Sequence, residues 1–215
     1  MFEIRAILLT ILGVLLAIDV HECCHAWAAD RLGDPTGRFM GRITLNPVKH
    51  LDPLGAIMIL FSSIAGFGIG WGKPMPVNPL RLRYGPRAGM ALVAFAGPAS
   101  NLVTATILAL PTRLGLNLPD TLWWILINLA YINVILAVFN LIPLPPLDGY
   151  SVLMGILSSV KSPAMRQVTG FLSRLEAQGP ILLLALLSIG WVTRFNILGA
   201  IINPPIRFLW NLIGG

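Results

Sequence analysis

Charged residues are scarce in this chain. They make up 11% of its 215 residues, whereas hydrophobic residues make up 56%, and a soluble domain normally carries about 25% charged residues. So little charge cannot cover a water-facing surface, which excludes a soluble globular protein and predicts an integral membrane protein. The net charge of +6 does not indicate a nucleic-acid partner, because a basic excess in a membrane protein normally lies in the loops that fix its orientation.

Cysteine is almost absent as well. The chain has two, Cys23 and Cys24, and they are adjacent in the sequence. Neighbouring cysteines cannot join without a strained ring, so the chain has no disulfide framework. We assign them no role beyond that of small polarizable side chains.

Long apolar segments are present instead. Residues 88–110 and 121–142 contain no charged residue, and each is about as long as the 20 residues that a membrane-spanning helix needs. Residues 6–29 form a third candidate span. Its second half carries four ionisable residues: Asp19, His21, Glu22 and His25. Ionisable groups are costly in hydrocarbon, so their presence in this segment indicates a function.

A shorter, glycine-rich apolar segment, residues 54–71, lies between two basic loops. The first loop contains Arg31, Arg38, Arg42 and Lys49, and the second contains Lys73, Arg81, Arg83 and Arg87. The positive-inside bias assigns both loops to the cytoplasmic side, so the segment between them cannot cross the membrane once. We therefore predict that residues 54–79 form a re-entrant, partly β element between the first and second spans.

The C-terminal helices, residues 175–213, are interrupted by Arg194 and by an Asn-Pro-Pro sequence. They form either one short span or a hairpin around Arg194, which we favour, and the total is then four to five transmembrane helices. We see no internal repeat or appended soluble domain. The sequence therefore predicts an all-α polytopic membrane protein with a single domain, 1–215, and a core over residues 6–155.

One five-residue pattern, His21-Glu22-Cys23-Cys24-His25, is typical of a zinc site. On a helix that turns about 100° per residue, the two histidines point within roughly 40° of each other, so one metal ion can bind both. Glu22 lies on the flank of the pair, where it can act as a general base without being a ligand. The pattern also recurs by chance in unrelated chains, but there its polar residues merely lie on a water-exposed face.

A catalytic zinc ion needs a third protein ligand and one open position. Asp148 is the best candidate, because it follows residues 121–142 directly, after a proline-rich turn that frees backbone groups in need of a polar cavity. With only one full crossing between them, the first and third spans run parallel, which brings Asp148 to the depth of His21 and His25. Three other residues compete for this role: His50, Asp52 and Asp19.

Several motifs follow one another in an order that is found in a known family. They are HECCHAW, GRITLNPVKHLDPLG, GWGKPMPVNP, AGPASN and NLIPLPPLDG, and they cover most of residues 18–155. The chain resembles the site-2 protease family of intramembrane zinc metalloproteases, specifically its small prokaryotic members without PDZ or CBS domains. The combination is far more specific than any single motif.

The resemblance implies a metal site and a catalytic residue. The implied ligands of one zinc ion per chain are His21, His25 and Asp148. Glu22 is implied as the catalytic acid/base.

The resemblance also implies substrate-binding residues. Asn140, Pro143 and Pro145 would shape a substrate groove beside the metal. Residues 70–78 are similar to a membrane-embedded strand that offers its edge to an extended substrate segment. This strand begins with Gly70, Trp71, Gly72 and Lys73.

Asn101, in the AGPASN motif, has two interpretations of equal weight. It is either a polar contact near the metal site or an interhelical hydrogen-bonding group among small residues. Asn133, in the third span, is interpreted as a packing and hydrogen-bonding residue.

The predicted function is an endopeptidase of the cell membrane that cleaves transmembrane segments of other proteins inside the lipid bilayer, near the cytoplasmic side, as in regulated intramembrane proteolysis. The alternative is a membrane metal-binding or transport protein that uses the same histidines and Asp148. A transporter would spread such residues along a path, whereas here they cluster at one depth with a base beside them. The substrate and the oligomeric state stay open.

Overall fold

The computed structural model describes residues 2–64, 72–193 and 197–214, and these residues are mostly helical. Ten α-helices lie within these ranges: α1 (Phe2–Arg31), α2 (Thr36–Phe39), α3 (Pro47–His50), α4 (Pro53–Ile64), α5 (Pro86–Arg113), α6 (Asp120–Asn140), α7 (Asp148–Ser159), α8 (Pro163–Glu176), α9 (Gly179–Thr193) and α10 (Ile197–Ile213). The predicted helical character is therefore confirmed.

Three of these helices are long and apolar enough to cross a membrane. They are α5, α6 and the Ile7–Arg31 part of α1, and they correspond to the predicted spans 88–110, 121–142 and 6–29. Even α6, with 21 residues, extends about 30 Å at 1.5 Å per residue, which is the thickness of the hydrocarbon core. The three predicted spans are confirmed as helices of spanning length.

Small side chains allow α5 and α6 to pack closely. Ala105, Ala109 and Ala130 are fully buried, in one cluster with Val134 of α6 and Ile206 of α10. Because lipid tails are as apolar as the helices, helix association in a membrane depends on close van der Waals packing, and alanine lets the backbones approach.

The directions of the three long helices bring the candidate site residues together. Along α1 from Ala17 to His25, the hydrogen-bond partners on α5 run backwards, from Asn101 to Val93, so α5 is antiparallel to α1. The next helix, α6, returns through a short turn and therefore runs parallel to α1. Asp148, just beyond the end of α6, reaches the level of His25, as the sequence predicts.

The short helix α4 packs along α1, as does the loop region that precedes it. Ile59 of α4 is fully buried against Val14 and Ile18 of α1. Leu51, just before α4, pairs with Gly72 in an isolated antiparallel bridge. Within the described residues, this pair is the only β contact, so the predicted partly β element stays a prediction.

Hydrogen bonds hold both backbone groups of Lys73, at the start of the segment of residues 72–78. Lys73 N donates to His50 O at 2.6 Å. The buried guanidinium of Arg42 donates to Lys73 O at 3.3 Å. These bonds hold the start of this segment against the loop that precedes α4.

Asp34 holds the other end of residues 72–78. Its fully buried carboxylate accepts hydrogen bonds from the Thr36 hydroxyl at 2.6 Å and from Asn78 N at 2.7 Å, and Arg81 lies 3.9 Å away. Burial raises the pKa of Asp34, but the hydrogen bonds and the Arg81 charge together lower this pKa below its ordinary value of 3.8. The ionised carboxylate therefore stabilises the fold.

We expect Asp34→Asn to lower the free energy of unfolding at neutral pH by about 1–3 kcal/mol, because an amide leaves a buried donor without an acceptor. Since the pKa of Asp34 is lower in the folded chain, the contribution of its charge is fully present above the unfolded-state pKa and is lost as the pH falls through the folded-state pKa. Thermal unfolding in detergent should therefore show a difference between wild type and variant that is constant above about pH 5 and shrinks below about pH 4.

Asp120→Asn is the matched control, because Asp120 is exposed at the start of α6. It should leave the unfolding temperature unchanged at every pH. An Asp34→Asn difference that persisted undiminished in acid would contradict the assigned charge effect.

The C-terminal helices begin and end at opposite ends of the bundle. Gly179, the first residue of α9, packs against Pro145, near Asp148. Arg113, at the far end of α5, donates a hydrogen bond to Leu212 O near the end of α10. The two helices have 15 and 17 residues, too short to be identified as spans, so the count of four to five stays a prediction. The predicted centre of a hairpin, Arg194, lies outside the described residues.

Candidate active site

Two histidines and one aspartate converge near the end of α1. His21 and His25 lie one turn apart on α1, and Asp148 is the first residue of α7. Asp148 Oδ2 lies 3.0 Å from His21 Nε2 and 3.3 Å from His25 Nε2. The three atoms lie within 4.8 Å of one another, which suits a shared metal ion about 2.0–2.2 Å from each. The structure thus brings together the three predicted ligands.

A hydrogen bond orients each imidazole. His25 Nδ1 donates to Val93 O at 2.7 Å, and His21 Nδ1 donates to Asn101 Oδ1 at 2.7 Å. A neutral imidazole with its proton on Nδ1 presents a lone pair at Nε2, which is the usual arrangement of a metal-binding histidine. In the neutral form of both rings, the two Nε2 lone pairs face Asp148.

The chemistry of this cluster fits a divalent cation. One carboxylate oxygen and two imidazole nitrogens form a donor set that zinc binds in proteins. The Oδ2 atom of Asp148 is buried and accepts no hydrogen bond from the described residues. Lone pairs that converge without a cation repel one another, whereas a metal ion would satisfy all three groups at once.

The competing third ligands are engaged elsewhere. Asp19 Oδ1 lies 3.6 Å from His50 Nε2 in a buried pair, and Asp52 accepts a hydrogen bond from Gly55 N at the start of α4. In the part of the chain that the structure describes, one group of three possible ligands is close enough to share a metal ion. That group includes Asp148 and none of these competitors.

Gly97 is a residue of the site that the sequence analysis missed. A Cβ atom at this position would lie 2.5 Å from His25 Nε2 and 2.7 Å from His21 Cε1, well inside van der Waals contact. The available signal is a glycine in the interior of a predicted helix, which costs about 1 kcal/mol relative to alanine and therefore has a packing reason. The bare backbone of α5 forms one wall of the site.

Gly149 has a similar role behind Asp148. A Cβ atom there would lie 2.2 Å from Leu141 O and 2.5 Å from Ile142 O. The glycine therefore allows the start of α7 to pack tightly against the turn that ends α6. This packing holds Asp148 at the depth of the histidines.

Glu22 lies beside the cluster. It is not one of the three converging residues, but it is close enough to His25 for an electrostatic interaction. Its Cγ atom lies 3.4 Å from the position of a Cβ added at Gly72. Across the described ranges, no hydrogen bond or ion pair engages its partly exposed carboxylate. The group is therefore available for proton transfer.

The predicted substrate strand is described from Gly72 onwards. Gly72 lies beside Glu22, and the Lys73 side chain is exposed. The other two predicted residues of this strand, Gly70 and Trp71, lie outside the described residues.

The second set of predicted substrate residues lies between α6 and Asp148. Asn140 ends α6, and its amide donates to Leu136 O at 3.0 Å. Pro145 is buried and Pro143 is exposed. These residues are close to Asp148 in the sequence, but their contact with a substrate stays a prediction.

Comparison with known proteins adds an independent line of argument. The sequence profile of peptidase family M50 matches residues 117–186, which include Asn140 and Asp148. The protein YwhC of Bacillus subtilis strain 168, named provisionally as a zinc metalloprotease, is 42% identical over 154 residues, which are 66% of this chain and 66% of YwhC. The chain belongs to peptidase family M50. This family is the site-2 protease family, so the resemblance inferred from the motifs is confirmed.

Two further relatives are named Rip2, again provisionally as zinc metalloproteases. Rip2 of Mycolicibacterium smegmatis is 35% identical over 147 residues, 68% of this chain and 56% of that protein. Rip2 of Mycobacterium tuberculosis strain H37Rv is 32% identical over 148 residues, 67% of this chain and 56% of that protein. This M50 chain thus spans just under two thirds of YwhC and just over half of the Rip2 proteins. No solved structure matches it.

Proposed function

We propose that this protein is an intramembrane zinc metalloprotease that cleaves transmembrane segments of other membrane proteins. The observation that carries the proposal is the convergence of two imidazole Nε2 atoms and one carboxylate oxygen within 4.8 Å, at the end of a helix of spanning length, with Glu22 beside them. Membership in family M50 and the names of the relatives support zinc as the metal, with one ion per chain held by His21, His25 and Asp148.

Each residue has a defined task in peptide hydrolysis. A zinc ion supplies Lewis acidity and lowers the pKa of water towards neutrality. Glu22 removes the proton from the attacking water and delivers it to the leaving nitrogen. Val93 O and Asn101 keep the two imidazoles oriented, and Asp148 supplies the compensating negative charge.

A transmembrane substrate must unwind before it can be cut, because a helix hides its amides in internal hydrogen bonds. We propose that residues 72–78 pair with the unwound segment by strand addition, which replaces the lost backbone partners. The position of Gly72 beside Glu22 supports this role. The hydrogen bonds of the Lys73 backbone to His50 O and to the Arg42 guanidinium support it as well, because they hold the segment in place. We propose that Asn140, Pro143 and Pro145 complete the groove.

The proposed topology has a re-entrant segment, and the active site faces the cytoplasmic side of the cell membrane. The pairing of Leu51 with Gly72 supports the re-entrant path, because the chain is at the same place before α4 and after residue 71. Both basic loops lie at the active-site end of the bundle, where Arg83 N donates to Leu32 O. This concentration of positive charge favours the cytoplasmic side. Since α9 begins at this end and α10 ends at the other, we propose that they complete a fourth crossing.

Metal transport is the less favoured function. A transporter needs metal-binding or acidic residues at several depths along a path. Among the described residues, one cluster alone can hold a metal ion, and a partly exposed glutamate stands beside it. A single site with an adjacent base favours hydrolysis.

The decisive experiment measures metal and cleavage together. We expect wild-type protein purified in detergent to contain about one zinc per chain by plasma mass spectrometry, and His21→Ala and Asp148→Ala to lose most of it, because two ligands hold zinc far more weakly than three. A chelator should stop cleavage of a transmembrane reporter segment in liposomes, and added zinc should restore it in the wild type alone.

Asp52→Ala is the matched control for Asp148→Ala, because Asp52 accepts a hydrogen bond at the start of α4 and, within the described residues, does not belong to the group of three possible ligands. The Asp52→Ala protein should keep its zinc. Full zinc retention in Asp148→Ala would refute the proposed ligand set, and chelator-resistant cleavage would refute the metalloprotease mechanism.

A further inference from the structure

A chain of hydrogen bonds crosses the three long helices from His21 to α6. His21 Nδ1 donates to Asn101 Oδ1 at 2.7 Å, Asn101 Nδ2 donates to Asn133 Oδ1 at 2.9 Å, and Asn133 Nδ2 donates to Leu129 O at 2.9 Å. Asn101 is fully buried and Asn133 is 3% exposed. Every donor in this chain points in the same direction, away from the metal cluster.

The orientation of the Asn101 amide decides which nitrogen of His21 carries the proton. With Oδ1 towards His21, the proton stays on Nδ1 and the Nε2 lone pair faces Asp148. With the amide reversed, its NH2 group would face Nδ1, which would then have to accept a hydrogen bond. The proton would move to Nε2, and that nitrogen could no longer bind a metal ion.

Two acceptors hold the Asn101 amide in its productive orientation. Its Nδ2 group donates to Ala17 O and to Asn133 Oδ1, both at 2.9 Å. Asn133 is in turn fixed by its bond to Leu129 O, which leaves its own Oδ1 as the acceptor. A reversed Asn101 would place its oxygen against these two acceptors and would lose both bonds.

We infer that Asn133 is a positioning residue that, through Asn101, holds His21 in the tautomer that binds metal. The inference rests on the proposed metal site, because it assigns Asn133 a role in zinc affinity. It gives a function to an asparagine that would otherwise count only as a link between helices. Among the described residues, the hydrogen bonds of Asn133 go to Asn101 and Leu129 and not to a proposed metal ligand, so we expect its effect to pass through Asn101.

The test compares three variants of the full-length protein. Asn133→Leu removes the acceptor at similar volume. Asn133→Asp, in the neutral form that burial favours, keeps an acceptor oxygen towards Asn101 and an O–H donor towards Leu129 O. Asn128→Leu is the matched control, because among the described residues Asn128, on the same helix, donates to Trp124 O one turn earlier and not to another helix. If Asn133→Leu does not fold, Asn133→Ala removes the same acceptor with less bulk.

The first readout is the histidine tautomer in metal-free protein, by NMR with ¹⁵N-labelled histidine. The chain has three histidines, so each signal can be assigned. We expect His21 Nδ1 to carry a proton in wild type, Asn133→Asp and Asn128→Leu, and to lose part of this protonation in Asn133→Leu. His25 should be unchanged throughout, because its Nδ1 donates to Val93 O.

The second readout is zinc affinity, by competition with a chromophoric chelator. The zinc dissociation constant of Asn133→Leu should rise about tenfold, as for other residues that orient metal ligands indirectly, while Asn133→Asp and Asn128→Leu should match the wild type. The inference is overturned if Asn133→Leu keeps the wild-type tautomer and affinity, or if Asn133→Asp loses as much as Asn133→Leu. If wild-type protein bound no zinc, the proposed function would fail, but the tautomer measurement would still test the hydrogen-bond chain.

Discussion

Glu22→Gln should abolish cleavage of a transmembrane substrate and leave the metal bound. Glutamine has nearly the shape of glutamate, but it cannot accept the proton of the attacking water, and loss of a positioned general base costs roughly 10²–10⁴-fold in rate. Zinc should remain because Glu22 is not one of the three converging ligands. The measurement is cleavage of a reporter segment in liposomes, with zinc content determined on the same preparations.

Glu176→Gln is the control for this variant. It makes the same chemical change on α8, where Glu176 accepts a hydrogen bond from the Tyr150 hydroxyl at 3.3 Å, and it should cleave at the wild-type rate. Cleavage by Glu22→Gln at the wild-type rate would show that another group is the base. Loss of zinc from Glu22→Gln would show that Glu22 is a ligand.

Gly97→Ala should reduce zinc binding and cleavage by about 10²-fold, because displacement of reacting groups by about 1 Å costs this much. The added methyl group would lie 2.5 Å from ring atoms of His25. Hydrogen bonds to Val93 O and Asn101 hold both imidazoles, so the rings cannot move aside without losing their orientation. Zinc affinity and cleavage rate measure the effect.

Gly170→Ala is the matched control for Gly97→Ala, because Gly170 also lies inside a helix and a Cβ there would meet no atom within 4 Å. It should leave zinc affinity and cleavage unchanged. Wild-type zinc affinity in Gly97→Ala would contradict the close packing of α5 on the histidines. Thermal unfolding of the metal-free proteins separates an effect on the site from an effect on the fold.

Much of the candidate metal site could be predicted because it depends on local geometry and on chain direction. His21 and His25 share a helix face by their spacing alone. The depth of Asp148 follows from counting crossings, since one antiparallel helix between α1 and α6 makes these two helices parallel. Glu22 follows from its place between the histidines. The roles of the substrate residues stay predictions, and two of them, Gly70 and Trp71, lie outside the described residues.

The sequence by itself determined the membrane class, the three helices of spanning length, the candidate metal-binding pattern and the family. Apolar length and residue spacing encode these properties within single segments. Only the tertiary structure decided that Gly97 forms a wall of the site, that Gly149 seats Asp148, and that Asn101 links His21 to Asn133. The hydrogen bonds of Asn101 join residues 32 and 80 positions apart, and no local pattern determines which atoms of two packed helices meet. The tertiary structure also decides which ring nitrogen of each histidine carries the proton, because the hydrogen-bond partners of both rings lie on another helix.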